Sequence, residues 1–121
     1  MRKVLIIEDE KLLRDIYALI LEKEGFSVDT AENGKVGLKK LNTFKPDLIT
    51  VDMLMPIMDG IEFLKSANLA SDHPQTRTII ISNLSDPISD AEWKKYGVVH
   101  AFVKAALSPN ALSAVVKKYC P

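Results

Sequence analysis

The stretch "DLITVDMLMPIMDG", Asp47 to Gly60, sets a short aliphatic run against an aspartate and then a loop that ends in Asp-Gly. "LITV" (48–51) is brief and partly β-branched, the pattern of a strand covered on both faces. "DGIE" (59–62) resembles a capping box and opens a helix through Phe63 and Leu64. The stretch therefore reads as strand, loop and helix, with Asp52 leaving the strand. An aspartate in that place is usually a turn-former or helix cap, because its short carboxylate accepts backbone N–H groups. Another role for it needs partners elsewhere in the chain.

The same unit recurs on both sides. "VLII" (4–7), "TIII" (78–81) and "VVHAFV" (98–103) also read as strands covered on both faces, and "FSVDT" (26–30) alternates like a fifth strand at an edge. Between them the apolar spacing is helical. A first helix is expected from about Glu10 to Lys23, with Leu12, Leu13, Ile16, Leu19 and Ile20 as its apolar face and Gly25 as a left-handed stop. A second, over 34–41, buries Val36, Leu38 and Leu41 and ends before Pro46. "SDAEWKKYG" (89–97) supplies a short helix capped by Ser89 or Asp86 and stopped by Gly97, and Ser108 with Pro109 opens the last one. The order is (βα)5, an α/β class that demands right-handed crossovers and a doubly wound, five-stranded parallel sheet with helices on both faces. "SANLASDHPQTR" (66–77) is the longest loosely patterned stretch and reads as a helix end plus loop.

At 121 residues the chain fits one domain, 1–121, able to bury a core without a disulfide or structural metal. Sixteen basic residues balance sixteen acidic ones, so no overall field recommends direct nucleic-acid or anionic-membrane binding. Cys120 is the single cysteine, which excludes an intrachain disulfide and points to a reducing, cytoplasmic compartment. The apolar run after the basic start, Val4 to Ile7, is too short for a signal peptide, and no run approaches the roughly 18 apolar residues of a membrane span.

In open α/β sheets functional groups gather beyond the carboxyl ends of the strands. There the sequence puts Glu8 and Asp9 after the first strand, Asp52 after the third, Ser82 at the end of the fourth and Lys104 after the fifth. Three carboxylates at one rim repel one another unless a hard cation is present, and oxygen ligands suit Mg²⁺ better than zinc. A carboxylate nucleophile, a divalent metal, a fixed ammonium and a hydroxyl donor are the groups that phosphoryl transfer to a carboxylate requires.

The motifs "VLIIEDE", "DLITVDMLMPIMDG", "TIIIS" and "FVK", in this order, resemble those of response-regulator receiver domains of two-component signalling, and the resemblance covers essentially the whole chain. It implies the flavodoxin-like strand order 2-1-3-4-5. It implies that Asp52 is the phosphoacceptor, that Asp9 is a direct Mg²⁺ ligand, and that Glu8 contacts the metal directly or through water. The backbone carbonyl of Leu54 then matches the remaining protein ligand, Ser82 the hydroxyl that moves to the phosphoryl group, and Lys104 the lysine that pairs with Asp52. The phosphodonor would be a histidine kinase or histidine phosphotransfer protein, the readout a downstream protein target, and the chain a switch rather than an enzyme acting on a separate substrate.

Taken singly, each of these residues has a plainer explanation. The run Glu8-Asp9-Glu10 suits a helix start, Ser82 a turn and Lys104 a solvated surface. His73 and His100 lack ligand-spaced neighbours, and Met53, Met55 and Met58 read as loop packing. What favours the functional reading is their joint placement after four strands. A hydrolase with a double-aspartate motif would need Asp at position 54, which is Leu, and the five glycines build no nucleotide-binding loop. A flavin binder would prefer a hydroxyl-rich loop to "EDE". The remaining alternative is a pseudo-receiver, a protein-interaction module that is never phosphorylated.

Three departures from the family pattern carry expectations. Ala105 stands where the family usually has a proline after the lysine, so a trans Lys104–Ala105 bond and a shifted loop start are expected. Leu54 and Leu84 stand where side chains influence the hydrolytic water, and neither can orient one, so the phosphorylated state is expected to be long-lived. Ala101 stands where many members carry an aromatic reporter, so output is expected to run through Asn83 to Pro87 and the helix bearing Trp93 and Tyr96.

Overall fold

The computed structural model describes residues 2–83 and 90–120. Five strands, β1 (Lys3–Ile7), β2 (Ser27–Ala31), β3 (Leu48–Val51), β4 (Arg77–Ser82) and β5 (Val98–Val103), form one parallel sheet in the order β2-β1-β3-β4-β5. The helices are α1 (Lys11–Lys23), α2 (Gly34–Phe44), α3 (Gly60–Ala67), the single turn α4 (Leu69–Asp72), α5 (Asp90–Lys95) and α6 (Pro109–Tyr119). A 3-10 turn, Lys104–Ala106, follows β5.

Period-two alternation along the strands divides the core in two. Leu5, Ile7, Ile49, Val51 and Ile80 face one side, where Leu41 of α2 and Phe63 and Leu64 of α3 cover them. Val4, Ile6, Leu48, Ile79 and Ile81 face the other, under Tyr17 and Leu21 of α1 and Leu112 and Val116 of α6. Cys120 joins this second cluster at 5% exposure, its backbone N–H bonded to the Val116 carbonyl oxygen at 2.8 Å.

Local signals set the helix limits. Asn33 caps α2 by accepting the Val36 N–H at 2.9 Å, and Asp59 caps α3 by accepting the Glu62 N–H at 2.9 Å. Ser108 Oγ accepts from the Ala111 N–H at 3.2 Å, with Pro109 in the first turn of α6. Gly25 and Gly97 take positive φ just beyond α1 and α5, which removes the Cβ penalty of that conformation. The caps expected at Ser89 or Asp86 lie outside the described residues.

Three expectations need correction. The buried face of α1 runs through Tyr17 and Leu21, whereas Leu12 and Leu19 are exposed. The apolar residues of this helix span more than one face, and packing with Val28 and Leu112 in the second cluster selects the stripe of Leu13, Tyr17 and Leu21, spaced by four. Helix α2 continues to Phe44, ending where Lys45 turns left-handed before Pro46. β5 is not covered on both faces: it is the second edge strand, and Val99 and Val103 are exposed.

Candidate functional site

The ladders of the sheet carry the acidic residues to one rim. The Glu8 N–H donates to the Ala31 carbonyl oxygen at 3.0 Å, and the Asp52 N–H donates to the Ile7 carbonyl oxygen at 3.1 Å. Each residue is thus fixed at the first step beyond its strand. Glu8, Asp52 and Ser82 are buried, while Asp9 is open to solvent. Lys104 starts the 3-10 turn at the end of β5, the same end of the sheet.

The Lys104 ammonium joins two of these groups. It donates to Asp52 Oδ2 at 2.7 Å and lies 2.7 Å from Glu8 Oε1. The second oxygen of each carboxylate takes a backbone N–H: Leu54 donates to Asp52 Oδ1 and Glu10 to Glu8 Oε2, both at 3.1 Å. Burial pushes the Glu8 carboxyl up to about 7, against the opposing pull of the Lys104 hydrogen bond and the Glu10 N–H. Burial works against the Lys104 charge too, but the hydrogen bonds to Asp52 and Glu8 outweigh it and hold the ammonium above the ordinary lysine range. Tyr17 sits near enough to feel the same field: burial, then the Glu8 charge, raises its phenol.

Glu8, Asp9 and Asp52 can each offer a carboxylate oxygen, all within 4.8 Å of one another. An all-oxygen set of this kind, with one ammonium to offset three carboxylates, fits a hard divalent cation such as Mg²⁺. Leu54, the expected carbonyl ligand, follows in the loop beside Asp52 and is 55% exposed. All the sequence-derived candidates on β1, β3, β4 and β5 therefore reach the carboxyl end of the sheet. Glu8, Asp52 and Lys104 are in direct contact.

The surrounding loops are set by close approach. A Cβ on Gly60 would lie 2.6 Å from the Asp52 carbonyl oxygen and 2.7 Å from Met53 Cα, so only glycine lets α3 begin this near the strand end. Ile57 has φ +71, a conformation unusual for a β-branched residue, in the loop between Asp52 and α3. The methionines pack as expected: Met53 is buried, and Met55 and Met58 lean on the first cluster.

Two side-chain contacts here escaped the sequence reading. The Arg14 guanidinium, one turn into α1, donates to the Glu8 carbonyl oxygen at 2.7 Å and to that of Asp9 at 3.4 Å, bracing the turn that carries two acidic residues. An arginine four residues after the acidic run was the available signal, because helical spacing folds it back over the helix start. Asn83 Oδ1 accepts the Ala105 N–H at 3.1 Å, and no local pattern announces that pair. The Lys104–Ala105 bond is trans, as expected, and the chain turns at once into the 3-10 segment. Ala101 packs on the first cluster and Phe102 on the second, so Phe102 does not take over the vacant aromatic position. Leu84 and the segment up to Ser89 lie outside the described residues.

The geometry is that of a receiver. The family model "Response regulator receiver domain" matches residues 4–117, and the chain belongs to that family of two-component signalling proteins. It is 32% identical to sporulation initiation phosphotransferase F of Bacillus subtilis, over 98% of this chain and 94% of that protein. Among solved structures, chemotaxis protein CheY4 of Vibrio cholerae superposes with a TM-score of 0.85 at 28% identity, covering 98% of both chains. Response regulator TrrA of Thermotoga maritima gives 0.82 at 28% identity, covering 98% of this chain and 99% of that one. Other curated relatives are longer: the chain spans only 26% to 28% of a methylesterase and two transcriptional regulators that it also matches. No helix among the described residues is long and apolar enough to cross a membrane.

Proposed function

We propose that the chain is a single receiver domain, residues 1–121, that takes a phosphoryl group onto Asp52 from a phosphohistidine of a histidine kinase or phosphotransfer protein. The observation that carries this is the Lys104 ammonium held between Asp52 and Glu8, with Asp9 alongside. In the transfer an Asp52 carboxylate oxygen forms a bond to phosphorus as the phosphorus–nitrogen bond of the donor breaks, and the imidazole leaves with the electron pair. Lys104 follows the developing charge, and the Ser82 hydroxyl donates to a phosphoryl oxygen. Glu8, Asp9, Asp52 and the Leu54 carbonyl would hold Mg²⁺, which would supply neutralising charge for the transfer. That TrrA was solved in complex with Mg²⁺ and beryllofluoride supports such a site in a related fold. The chain modifies only itself, and the new charge alters the surface offered to a downstream protein in the cytoplasm. Nothing in its balanced charge favours direct nucleic-acid binding or membrane insertion.

Incubation with acetyl phosphate and Mg²⁺, followed by intact mass, tests this. The mass should rise by one phosphoryl group, only with the metal present and not in Asp52→Ala or Asp9→Ala protein. An unchanged mass in a chain that still binds its target would establish the pseudo-receiver instead.

A further inference from the structure

The β4–β5 ladder ends with Ser82 beside Val103. One step further on, Asn83 and Lys104 leave the sheet, and a side chain continues the connection: Asn83 Oδ1 accepts the Ala105 N–H at 3.1 Å. That N–H lies in the first turn of the 3-10 segment, where backbone donors have no partner within the turn itself. The contact spans 22 positions of sequence and joins the residue after Ser82 to the residue after Lys104.

The position of Lys104 makes this contact matter. A lysine has a long, rotamer-rich stem, and bringing its ammonium to 2.7 Å from two different carboxylates requires a fixed base for that stem. On the N-terminal side the base is held by β5, itself an edge strand. On the C-terminal side the next backbone amide is the one that Asn83 holds.

We propose that Asn83 is a positioning residue for phosphoryl transfer: by accepting the Ala105 N–H it fixes the backbone on which Lys104 is mounted and ties the Ser82 and Lys104 arms of the site together. This rests on Asp52 being the phosphoacceptor. It concerns the side chain and amide peculiar to this pair, since a proline at position 105 would carry no N–H to hold.

A double-mutant cycle on the full chain tests it, using Asn83→Ala, Ala105→Pro and the two combined. The readouts are the rate of phosphorylation by acetyl phosphate with Mg²⁺, the hydrogen-exchange rate of the Ala105 amide, and the melting temperature. The hydrogen bond is exposed, so its loss should slow phosphorylation by about two- to tenfold. Asn83→Ala should speed Ala105 exchange with little change in melting temperature. Proline at 105 restrains Lys104 in its own way, so only the effect of Asn83→Ala within that background counts, and it should vanish there. An equal slowing in both backgrounds would mean that Asn83 acts on something other than the Ala105 amide and would overturn the proposal, as would an unchanged rate in Asn83→Ala. If the unaltered chain took no phosphoryl group, the reading of the site would fall and the role of Asn83 with it. In that case faster Ala105 exchange in Asn83→Ala would leave a structural hydrogen bond and nothing more.

Discussion

The Lys104 ammonium is as close to Glu8 as to Asp52, 2.7 Å in each case. One cation therefore serves two buried carboxylates. The site thus holds its charges in a shared balance.

The first consequence is a pH dependence. The Glu8 carboxyl titrates near 7 in the folded chain against an ordinary value of 4.5. Between these values the folded state binds more protons than the unfolded one, so this group's contribution to stability is complete below about 4.5 and lost as pH rises through about 7. Without metal, melting temperature should decline across that window more in the wild type than in Glu8→Gln. Metal ligation needs the deprotonated carboxylate, so added Mg²⁺ should raise the melting temperature more at about pH 8 than at about pH 6. Equal metal shifts at both pH values would remove Glu8 from the ligand set.

Removing the ammonium should expose the repulsion it offsets. Lys104→Met leaves Glu8 and Asp52 buried and uncompensated, which should lower stability by about 3 kcal/mol at alkaline pH. The loss should shrink below pH 7, where Glu8 takes up a proton, and Mg²⁺ should recover part of it. Urea unfolding at two pH values, with and without metal, measures this. A pH-independent loss would trace the effect to packing of the lysine stem.

Gly60→Ala separates helix propensity from geometry. Alanine favours a helix over glycine, so propensity alone predicts a gain. The added Cβ would meet backbone at 2.6 Å and 2.7 Å, so destabilisation of about 1 to 3 kcal/mol is expected instead. The Asp52 carbonyl is one of the atoms displaced, so phosphorylation should slow as well. An unfolding midpoint at or above that of the wild type would show that the loop yields without strain.

The lifetime of the modified state should depend on the half-exposed Leu54 side chain. The Leu54 backbone N–H donates to the Asp52 carboxylate, yet its side chain can neither hydrogen-bond nor orient water. Leu54→Asn combined with Leu84→Glu should hydrolyse the aspartyl phosphate about tenfold faster, followed as decay of the phosphorylated mass. Equal or slower decay would point to another control of water access.

The site was legible in the sequence because its residues stand at strand ends, and strand ends are marked by the break between an aliphatic run and a charge: "VLII" then Glu8, "LITV" then Asp52, "FV" then Lys104. The cover of each element was less legible. "VVHAFV" is as apolar as an interior strand, but its burial depends on its place in the sheet, which its own residues do not encode. Leu12 and Leu19 fit a helical stripe as well as Tyr17 and Leu21 do, and only the packing partners choose between them. The Arg14 and Asn83 contacts go from side chain to backbone, and backbone groups carry no letter in the sequence.

The seclusion of Cys120 at the C-terminal end of α6 gives the chain a built-in reporter. Its thiol is almost fully covered, and burial together with the nearby Asp47 charge raises its pKa, so the reactive thiolate is scarce in the docked state. A thiol reagent then marks molecules only while the end of α6 is lifted from the sheet, and because Cys120 is the sole cysteine, labelling kinetics count those openings one molecule at a time.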